Sequence, residues 1–161
     1  MNIEIRQADY NVEKDGTDLV NLLNGYAQDP MGGAEPLSQF SQDNLVAALA
    51  KTPHAFSVLA YVDGKPAGLI NCFEGFSTFA CKPVVNIHDV TVSNDFRGLG
   101  LSQKMLDEVE KIATSKGACK LTLEVLEGNT VARNSYLKYG FKGYELDPEM
   151  GKAEFWEKKL K

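Results

Sequence analysis

The feature that most constrains the fold of this chain is a β-hairpin signal followed by a further apolar strand. Residues 55–62 are rich in β-branched and aromatic side chains, and the Asp63-Gly64 dipeptide favours a tight turn into a second strand at residues 67–73. Residues 84–92 are mostly apolar, which is typical of a strand in the middle of a sheet. The fold is therefore expected to be built around a sheet.

Helical patterns and further strand patterns surround this central run. Apolar spacing and the positions of Gly and Pro predict four helices, from about residue 16 to Asp29-Pro30, from the cap Ser41 to residue 50, from Leu101 to Lys116-Gly117, and from residue 131 to Gly140. Short strands are predicted at residues 3–5, 121–125, 141–146 and 153–156. This order indicates a three-layer α/β domain with a mixed, mostly antiparallel sheet flanked by helices.

Length and charge limit the organisation of the chain and its partners. A chain of 161 residues is long enough for one core, so we expect a single domain spanning residues 1–161. The net charge is −5, and the acidic residues are spread along the sequence rather than gathered in a tail. Because nucleic-acid binders usually need a basic field to neutralise phosphates, this charge argues against a nucleic-acid partner.

Membrane and metal roles are also disfavoured. No apolar run approaches the roughly 20 residues that span a bilayer, and the first residues lack a basic segment followed by an apolar one. We therefore expect a cytoplasmic protein without a membrane partner. The three cysteines, Cys72, Cys81 and Cys119, are odd in number and have no CxxC spacing, which predicts neither a disulfide framework nor a metal site.

The segment of residues 95–104, between the apolar strand and the third helix, is suited to binding an anion. Gly98 and Gly100 allow a tight turn, and the first turn of the helix has N–H groups without intrahelical partners. Together with the positive helix end and Arg97, these groups suit a diphosphate. A dinucleotide fingerprint needs Gly or Ala where Gln103 stands. Taken alone, the segment is also compatible with a glycine-rich connector that has no function.

Two motifs in this chain resemble those of a known family. Arg97-Gly98-Leu99-Gly100-Leu101-Ser102 resembles the coenzyme A pyrophosphate loop of the GNAT acetyltransferases, which has Gln or Arg, two residues, Gly, one residue, and Gly or Ala. Ser102 departs from the last position, but its side chain is small. Residues 129–141 look like the other segment of that family, Asn-x-x-Ala-x-x-x-Tyr-x-Lys-x-Gly-Phe. The resemblance implies a GNAT-like fold that uses acetyl-CoA as acyl donor.

The resemblance also implies roles for the matching positions. The loop from Arg97 to Ser102 would hold the pyrophosphate, and Val90 and Val92 would offer backbone groups to the thioester and pantetheine arm. Asn129 would contact the donor, and Tyr136 would protonate the departing thiolate. A phenol suits this step because it holds a proton at neutral pH and donates it over a hydrogen bond. The alternative for Tyr136 is packing on one face of its helix.

The general base does not follow from the motifs. Members of this family often carry a Glu on the strand before the loop, but the corresponding position is Asn86, which cannot take a proton from an amine. His88 is predicted to share the face of Asn86 and Val90, with Asp89 facing the opposite layer, and an imidazole accepts protons near neutral pH. Glu74 is the other candidate. The alternatives are a hydrogen-bonded core histidine and an exposed glutamate at a strand end.

Two segments outside the motifs are predicted to form the acceptor pocket. Residues 26–36 include Tyr26, Asp29 and Glu35, and residues 73–79 include three phenylalanines. Together they would make an aromatic-walled, acidic-rimmed pocket for a small amine. The alternative is that both segments only cover the core.

These observations predict an acetyl-CoA-dependent N-acetyltransferase in which a small-molecule primary amine attacks the donor directly in a ternary complex. No cysteine falls on a motif position, which disfavours a covalent acetyl-enzyme. Two alternatives stay open: a non-catalytic acyl-CoA-binding sensor on the same fold, and an acyltransferase that uses a longer acyl donor or a protein lysine. Residues 153–160 are compatible with pairing into a homodimer or with a solvated edge.

Overall fold

The computed structural model of the protein describes residues 1–144 and 148–161. Its helices and strands, in chain order, are β1 (Ile3–Gln7), α1 (Glu13–Gln28), α2 (Gln39–Ala50), β2 (Ala55–Val62), β3 (Lys65–Ser77), β4 (Lys82–Val92), α3 (Leu101–Ser115), β5 (Leu121–Leu123) and α4 (Thr130–Tyr139). Contacts divide the chain into two compact units. Met1–Leu126 holds the five strands and α1 to α3, and Glu127–Lys161 holds α4.

The five strands form one mixed sheet in the order β1-β2-β3-β4-β5. The pairs β1-β2, β2-β3 and β3-β4 are antiparallel, and β5 runs parallel to β4. At the predicted hairpin, Asp63 and Gly64 both have positive φ, 49° and 79°. Such a two-residue turn has the twist of the strands that it joins. The α/β class and the mixed, mostly antiparallel sheet predicted from the sequence are confirmed.

Different helices cover the two faces of the sheet. Gly68 of β3 lies under α3, where a Cβ at this position would come within 2.8 Å of Met105 Cε. The next residue, Leu69, points to the other face because side chains alternate along a strand. There it joins the cluster that α1 and α2 form with the sheet, which consists of Leu19, Leu22, Leu49, Leu59, Tyr61 and Leu69. The sheet is therefore packed on both sides.

The pairing of β3 with β4 contains one irregularity. Asn71 lies opposite Asp89, and Cys72 lies opposite Ile87, so His88 has no residue opposite it. An extra residue of this kind is a β-bulge, and it breaks the alternation of side chains along its strand.

Some element boundaries differ from the prediction. Residues 141–144 and 153–156 are not strands, and Glu145 and Leu146 lie outside the described residues. Phe155 and Trp156 are 72% and 83% exposed, so the aromatic residues that favoured a strand have no sheet face to pack on.

The start of α2 also differs. Ser38 caps this helix, because its Oγ accepts a hydrogen bond from the Ser41 N–H at 3.1 Å. The sequence offers a serine at both positions, and either residue type suits a cap.

Candidate functional site

The loop between β4 and α3 depends on glycine at two positions. Gly98 and Gly100 have φ values of 83° and 73°, a backbone conformation that is strained for other residues. A Cβ at either position would meet no atom within 4 Å, so the space beside the loop is open. Arg97 Nε donates to the Val92 carbonyl at 3.4 Å, which places the arginine at the end of β4.

The helix that follows begins without a side-chain cap. Its N-cap is Gly100, and its first turn contains no acidic residue. In a helix of 15 residues, the aligned peptide dipoles give this end a partial positive charge. The first-turn N–H groups point the same way, so the start of α3 suits an anionic group such as a phosphate.

The edge of β4 that faces β5 is open over its second half. β5 pairs only with Val85–Ile87, and no other strand in the described residues joins this edge. The Ser93 N–H donates to the Ala67 carbonyl on β3 at 2.8 Å. By the alternation of an antiparallel ladder, Val90 and Val92 direct their own N–H and C=O groups away from β3. These two residues therefore present backbone groups along the open edge, beside the glycine loop.

A cavity of about 320 Å³ lies in the first unit and is lined by residues of α1, α2, β3 and β4. Its helical side is mostly apolar and includes Leu23, Tyr26, Leu45 and Leu49. The strands contribute Asn71, Phe73, His88 and Asp89. The cavity thus combines apolar walls with a small group of polar side chains from the sheet, as ligand pockets commonly do.

His88 and Asp89 both line this cavity although they are consecutive residues. In a regular strand they would face opposite sides, so the expectation that Asp89 faces the opposite layer is wrong. The bulge at His88 accounts for the difference. The His88 ring packs edge-on against Phe73, with the ring centroids 5.4 Å apart. An imidazole and a carboxylate are therefore brought together.

A chain of hydrogen bonds leads from the core to Asp89. Tyr10 OH and Ser57 Oγ lie 2.8 Å apart, Ser57 Oγ donates to Asn71 Oδ1 at 2.6 Å, and Asn71 Nδ2 donates to Asp89 Oδ2 at 3.1 Å. A serine hydroxyl has one hydrogen, so Tyr10 must be the donor in the first pair. Ser57 and Asn71 are both buried. The chain fixes one oxygen of the carboxylate.

Two protonated groups, Tyr26 and Cys72, feel the charge of this carboxylate, and a third, Tyr10, begins the hydrogen-bond chain that reaches it. Burial raises the pKa of the Tyr26 phenol, and the negative charges of Asp89 and Asp29 raise it further. Burial also raises the pKa of the Cys72 thiol, again with a contribution from Asp89. The pKa of Tyr10 is raised by burial, against the opposing effect of its hydrogen bond to Ser57. All three groups keep their protons at neutral pH.

The other positions considered for a base lie elsewhere. Asn86 Nδ2 donates to Thr122 Oγ1 on β5 at 3.1 Å. Glu74 does not line the cavity, and its Oε2 lies 3.7 Å from Nδ1 of the exposed His54. Glu74 follows Phe73 in β3, so the two side chains face opposite sides of the sheet. The structure therefore brings His88 to the cavity and leaves Glu74 outside it.

The second unit carries the remaining two predicted residues. Asn129 caps α4, because its Oδ1 accepts a hydrogen bond from the Ala132 N–H at 3.2 Å. Tyr136 is half-buried, and its ring packs edge-on against Phe141 with the centroids 6.0 Å apart. The roles of Asn129 and Tyr136 toward an acyl donor stay predictions.

The segments predicted to form the acceptor pocket contribute to the cavity in part. Tyr26 from residues 26–36 and Phe73 from residues 73–79 line it. Phe76 and Phe79 point into solvent instead.

Asn71 and Asp89 line the cavity although neither was predicted there from the sequence. The sequence contained one signal for them, because Asn71 and Asp89 are polar residues in the middle of two otherwise apolar strands. Polar residues in such positions rarely lack a hydrogen-bond partner.

Comparison with known proteins identifies the family. The model of the acetyltransferase (GNAT) family matches residues 18–141. The chain belongs to the GNAT acetyltransferases. The match includes the glycine loop and the second motif, so the resemblance predicted from these two segments is confirmed.

This GNAT protein is similar to an uncharacterized N-acetyltransferase of Methanocaldococcus jannaschii. The two are 30% identical over 86 residues, which is 53% of this chain and 38% of the relative. The matched region thus spans well under half of the length of that relative.

Several solved structures share the fold. A probable acetyltransferase has a TM-score of 0.81 at 19% identity, with 98% of this chain and 99% of that chain covered. AAC(6')-Iy, solved with a bisubstrate analog, CoA-S-monomethyl-acetylneamine, has a TM-score of 0.76 at 18% identity, with 99% and 100% covered. An aminoglycoside acetyltransferase from an uncultured soil metagenomic sample, in complex with sisomicin, has a TM-score of 0.78 at 14% identity, with 98% and 97% covered. At these identities the likeness shows the fold.

Within residues 1–144 and 148–161, no helix is long and apolar enough to cross a membrane. The same residues contain no group of three or more His, Cys, Asp or Glu side chains placed to hold a metal ion.

Proposed function

We propose that this GNAT protein is an acetyl-CoA-dependent N-acetyltransferase that acts on the primary amine of a small molecule. One observation carries the proposal. A loop with positive φ at Gly98 and Gly100 leads into the uncapped start of α3, beside the open edge of β4 at Val90 and Val92. This arrangement offers amide donors to a diphosphate and, next to them, strand-like backbone groups to an extended arm.

The acyl donor is proposed to bind along these elements. The backbone N–H groups from Gly98 to Ser102 would hold the pyrophosphate, and the Arg97 guanidinium would add positive charge beside it. The pantetheine arm contains amide groups that would pair with Val90 and Val92 along the open edge. Asn129 of the second unit would contact the same donor. In support, one structural neighbour was solved with a bisubstrate analog of CoA.

The proposed reaction is direct transfer without an acetyl-enzyme. The neutral amine nitrogen attacks the thioester carbonyl carbon, so a C–N bond forms while the C–S bond breaks. The Val90 N–H would donate to the oxyanion of the tetrahedral intermediate, and Tyr136 would give its phenol proton to the departing sulfur. An ammonium group loses two protons overall. One of these protons replaces the proton that Tyr136 gives to the sulfur, and the other is released to solvent.

His88 is the base that we propose for removing the amine proton. Its imidazole lines the cavity next to Asp89, and imidazole groups exchange protons near neutral pH. Glu74 stays an alternative that would have to act through water, because it does not line this cavity.

A second candidate function is a sensor that binds acyl-CoA without turnover. The observation that favours it is Asn86, an amide hydrogen-bonded to Thr122, at the position where the family often carries its catalytic Glu. A sensor would need the donor site but no base.

Thiol release separates the two functions. Purified protein is mixed with acetyl-CoA and a panel of primary amines, and free coenzyme A is measured with a thiol-reactive dye, while calorimetry measures coenzyme A binding. We expect binding together with amine-dependent thiol release. Binding without release for any amine would support the sensor, and absence of binding would overturn both functions.

A further inference from the structure

We propose that Asp89 binds the ammonium group of the acceptor, and that the acceptor is a small amine with a single positive charge on an apolar body. This inference rests on the proposed function, because it names the acceptor class of the same reaction. It follows from the charge, the volume and the hydrogen bonding of the cavity between the sheet and the first two helices.

The charge of the cavity lining points to a monocation. Asp89 is the one carboxylate among the described residues that line it, and the other polar side chains there belong to Tyr26, Asn71 and His88. A buried ammonium group needs an opposite charge or several hydrogen-bond acceptors. The cavity can satisfy one such group at Asp89, whereas the additional ammonium groups of a polyamine or an aminoglycoside would find no second carboxylate among the described lining residues.

The rest of the lining points to an apolar body. Leu23, Leu45 and Leu49 come from the helices, and Phe73 comes from β3. Burying an apolar surface against them contributes about 25 cal/mol per Å². The volume of about 320 Å³ equals that of on the order of ten water molecules in the liquid. An acceptor with on the order of ten non-hydrogen atoms fits this space.

The hydrogen-bond chain that ends at Asp89 holds its carboxylate in one orientation. Each donor in the series Tyr10, Ser57, Asn71 points toward the carboxylate, and the last bond engages Oδ2. No other hydrogen bond from the described residues reaches the carboxylate of Asp89, so its Oδ1 is available to a ligand. Because Oδ2 is already held by Asn71, the carboxylate loses little conformational entropy when Oδ1 binds an ammonium group, and this favours affinity. Tyr10, Ser57 and Asn71 are therefore positioning residues.

The position of Asp89 along the strand also suits the reaction. Asp89 precedes Val90, whose backbone groups point along the open edge, and it follows His88, whose imidazole shares the cavity. A nitrogen held at Asp89 would lie between the proposed base and the proposed donor arm. After one proton has passed to His88, the neutral amine can keep a hydrogen bond to Asp89 while its lone pair attacks the thioester.

The first experiment compares amines. Thiol release from acetyl-CoA is measured with 2-phenylethylamine, ethanolamine, spermidine and sisomicin, and binding of each amine is measured by calorimetry with coenzyme A present. We expect kcat/KM for 2-phenylethylamine to exceed that for each of the other three at least about tenfold, which is about 1.4 kcal/mol. A preference for spermidine or sisomicin, or no preference, would overturn the inference.

The second experiment removes the negative charge of Asp89. Asp89→Asn keeps the shape of the side chain and should raise the KM for 2-phenylethylamine at least about tenfold, with the affinity for coenzyme A unchanged. Asp43→Asn makes the same charge change on the outer surface of α2 and should leave both values as they are. Ser57→Ala breaks the chain at a buried hydroxyl and should raise the KM for the amine but not the KM for acetyl-CoA. An unchanged amine KM in Asp89→Asn contradicts the proposal.

Failure of this inference can be told apart from failure of the proposed function. If no amine releases thiol but 2-phenylethylamine binds and Asp89→Asn weakens that binding, the transferase proposal fails and the ammonium site stands. If thiol is released with polycations only, the transferase proposal stands and the proposed site for a single ammonium group at Asp89 fails.

Discussion

His88 and Asp89 reach the same cavity because β4 has one residue more than β3 across their pairing. The residue types in this stretch suit a regular strand, so the sequence predicted His88 on the face of Asn86 and Val90 and Asp89 on the opposite face. The bulge is set by the pairing of two strands that lie far apart in the chain, and periodicity within one strand does not contain that information. The glycines of the loop were predictable, because the backbone conformation there is one that glycine adopts most easily.

Replacing His88 tests the proposed base. A base must be unprotonated to act, so the rate of the native protein should rise with pH and then level off, with an inflection where the base loses its proton. His88→Ala should lose this inflection and turn over more slowly below it. Asp89 and Tyr26 also line the cavity that contains this imidazole, and burial raises the pKa of the Tyr26 phenol. His54→Ala, at the other histidine of the chain, should keep the native profile, and the same profile in His88→Ala would place the base elsewhere.

Replacing Tyr136 tests the proposed acid. Tyr136→Phe removes the phenol but keeps the ring that packs against Phe141. We expect kcat to fall by roughly 100-fold, in the range that general acid catalysis contributes, with little change in coenzyme A affinity. Tyr139→Phe on the same helix is the matched control. Full activity of Tyr136→Phe would remove this residue from the mechanism.

At the scale of elements, the junction of β4 with α3 joins three features in the twelve residues from Val90 to Leu101: an edge that β5 leaves open, two glycines with positive φ, and a helix without a side-chain cap. The sequence predicted the loop and the helix start, because glycine placement and apolar spacing are local signals. It could not show how far β5 pairs with β4, since that length depends on contacts between distant segments.

Two glycine substitutions at opposite ends of α3 test this junction. Gly100→Leu and Gly117→Leu both place a side chain at positive φ, 73° and 78°, where a Cβ has open space. Both should therefore lose about 1–2 kcal/mol of stability from backbone strain. Only Gly100→Leu fills space beside the loop, so it alone should weaken coenzyme A binding, by at least about tenfold. Equal affinities of the two variants, measured by calorimetry, would refute the assignment of the loop.

At the scale of the whole molecule, the order of elements in residues 1–126 follows the sequence prediction closely, because strands and helices there bury strongly patterned apolar faces. The prediction is less successful near the C-terminal end. Phe155 and Trp156 have the residue types of a strand, but nothing in the described residues covers them. Residue preference for a strand has little effect without a sheet to pack on.

The stability of the first unit should depend on a link between β1 and α1. Both oxygens of the buried Asp15 accept hydrogen bonds from Arg6, at 2.7 Å each, and these bonds lower the pKa of Asp15 despite the opposing effect of burial. A lowered pKa stabilises the fold above the pKa of the unfolded chain, and this stabilisation is lost as the pH falls through the folded value. Asp15→Asn should cost about 2 kcal/mol near pH 7.

Urea unfolding at a series of pH values checks this prediction. The difference in unfolding free energy between the native protein and Asp15→Asn should be largest near neutral pH and shrink in acid. Asp43→Asn, at an exposed position, should differ little from the native protein at any pH. A difference that does not change with pH would assign the effect to packing rather than to charge.

The bulge in β4 also determines which changes in chain length the sheet can accept. On both sides of His88 the pairing with β3 is already in register, so a chain that lacked this one position could close the gap and become a regular strand with Asp89 still turned inward. Loss of a residue of β4 away from this bulge would instead turn over the side chains between the break and the bulge. Position 88 is thus a site where the imidazole can be lost by deletion while the carboxylate stays in place.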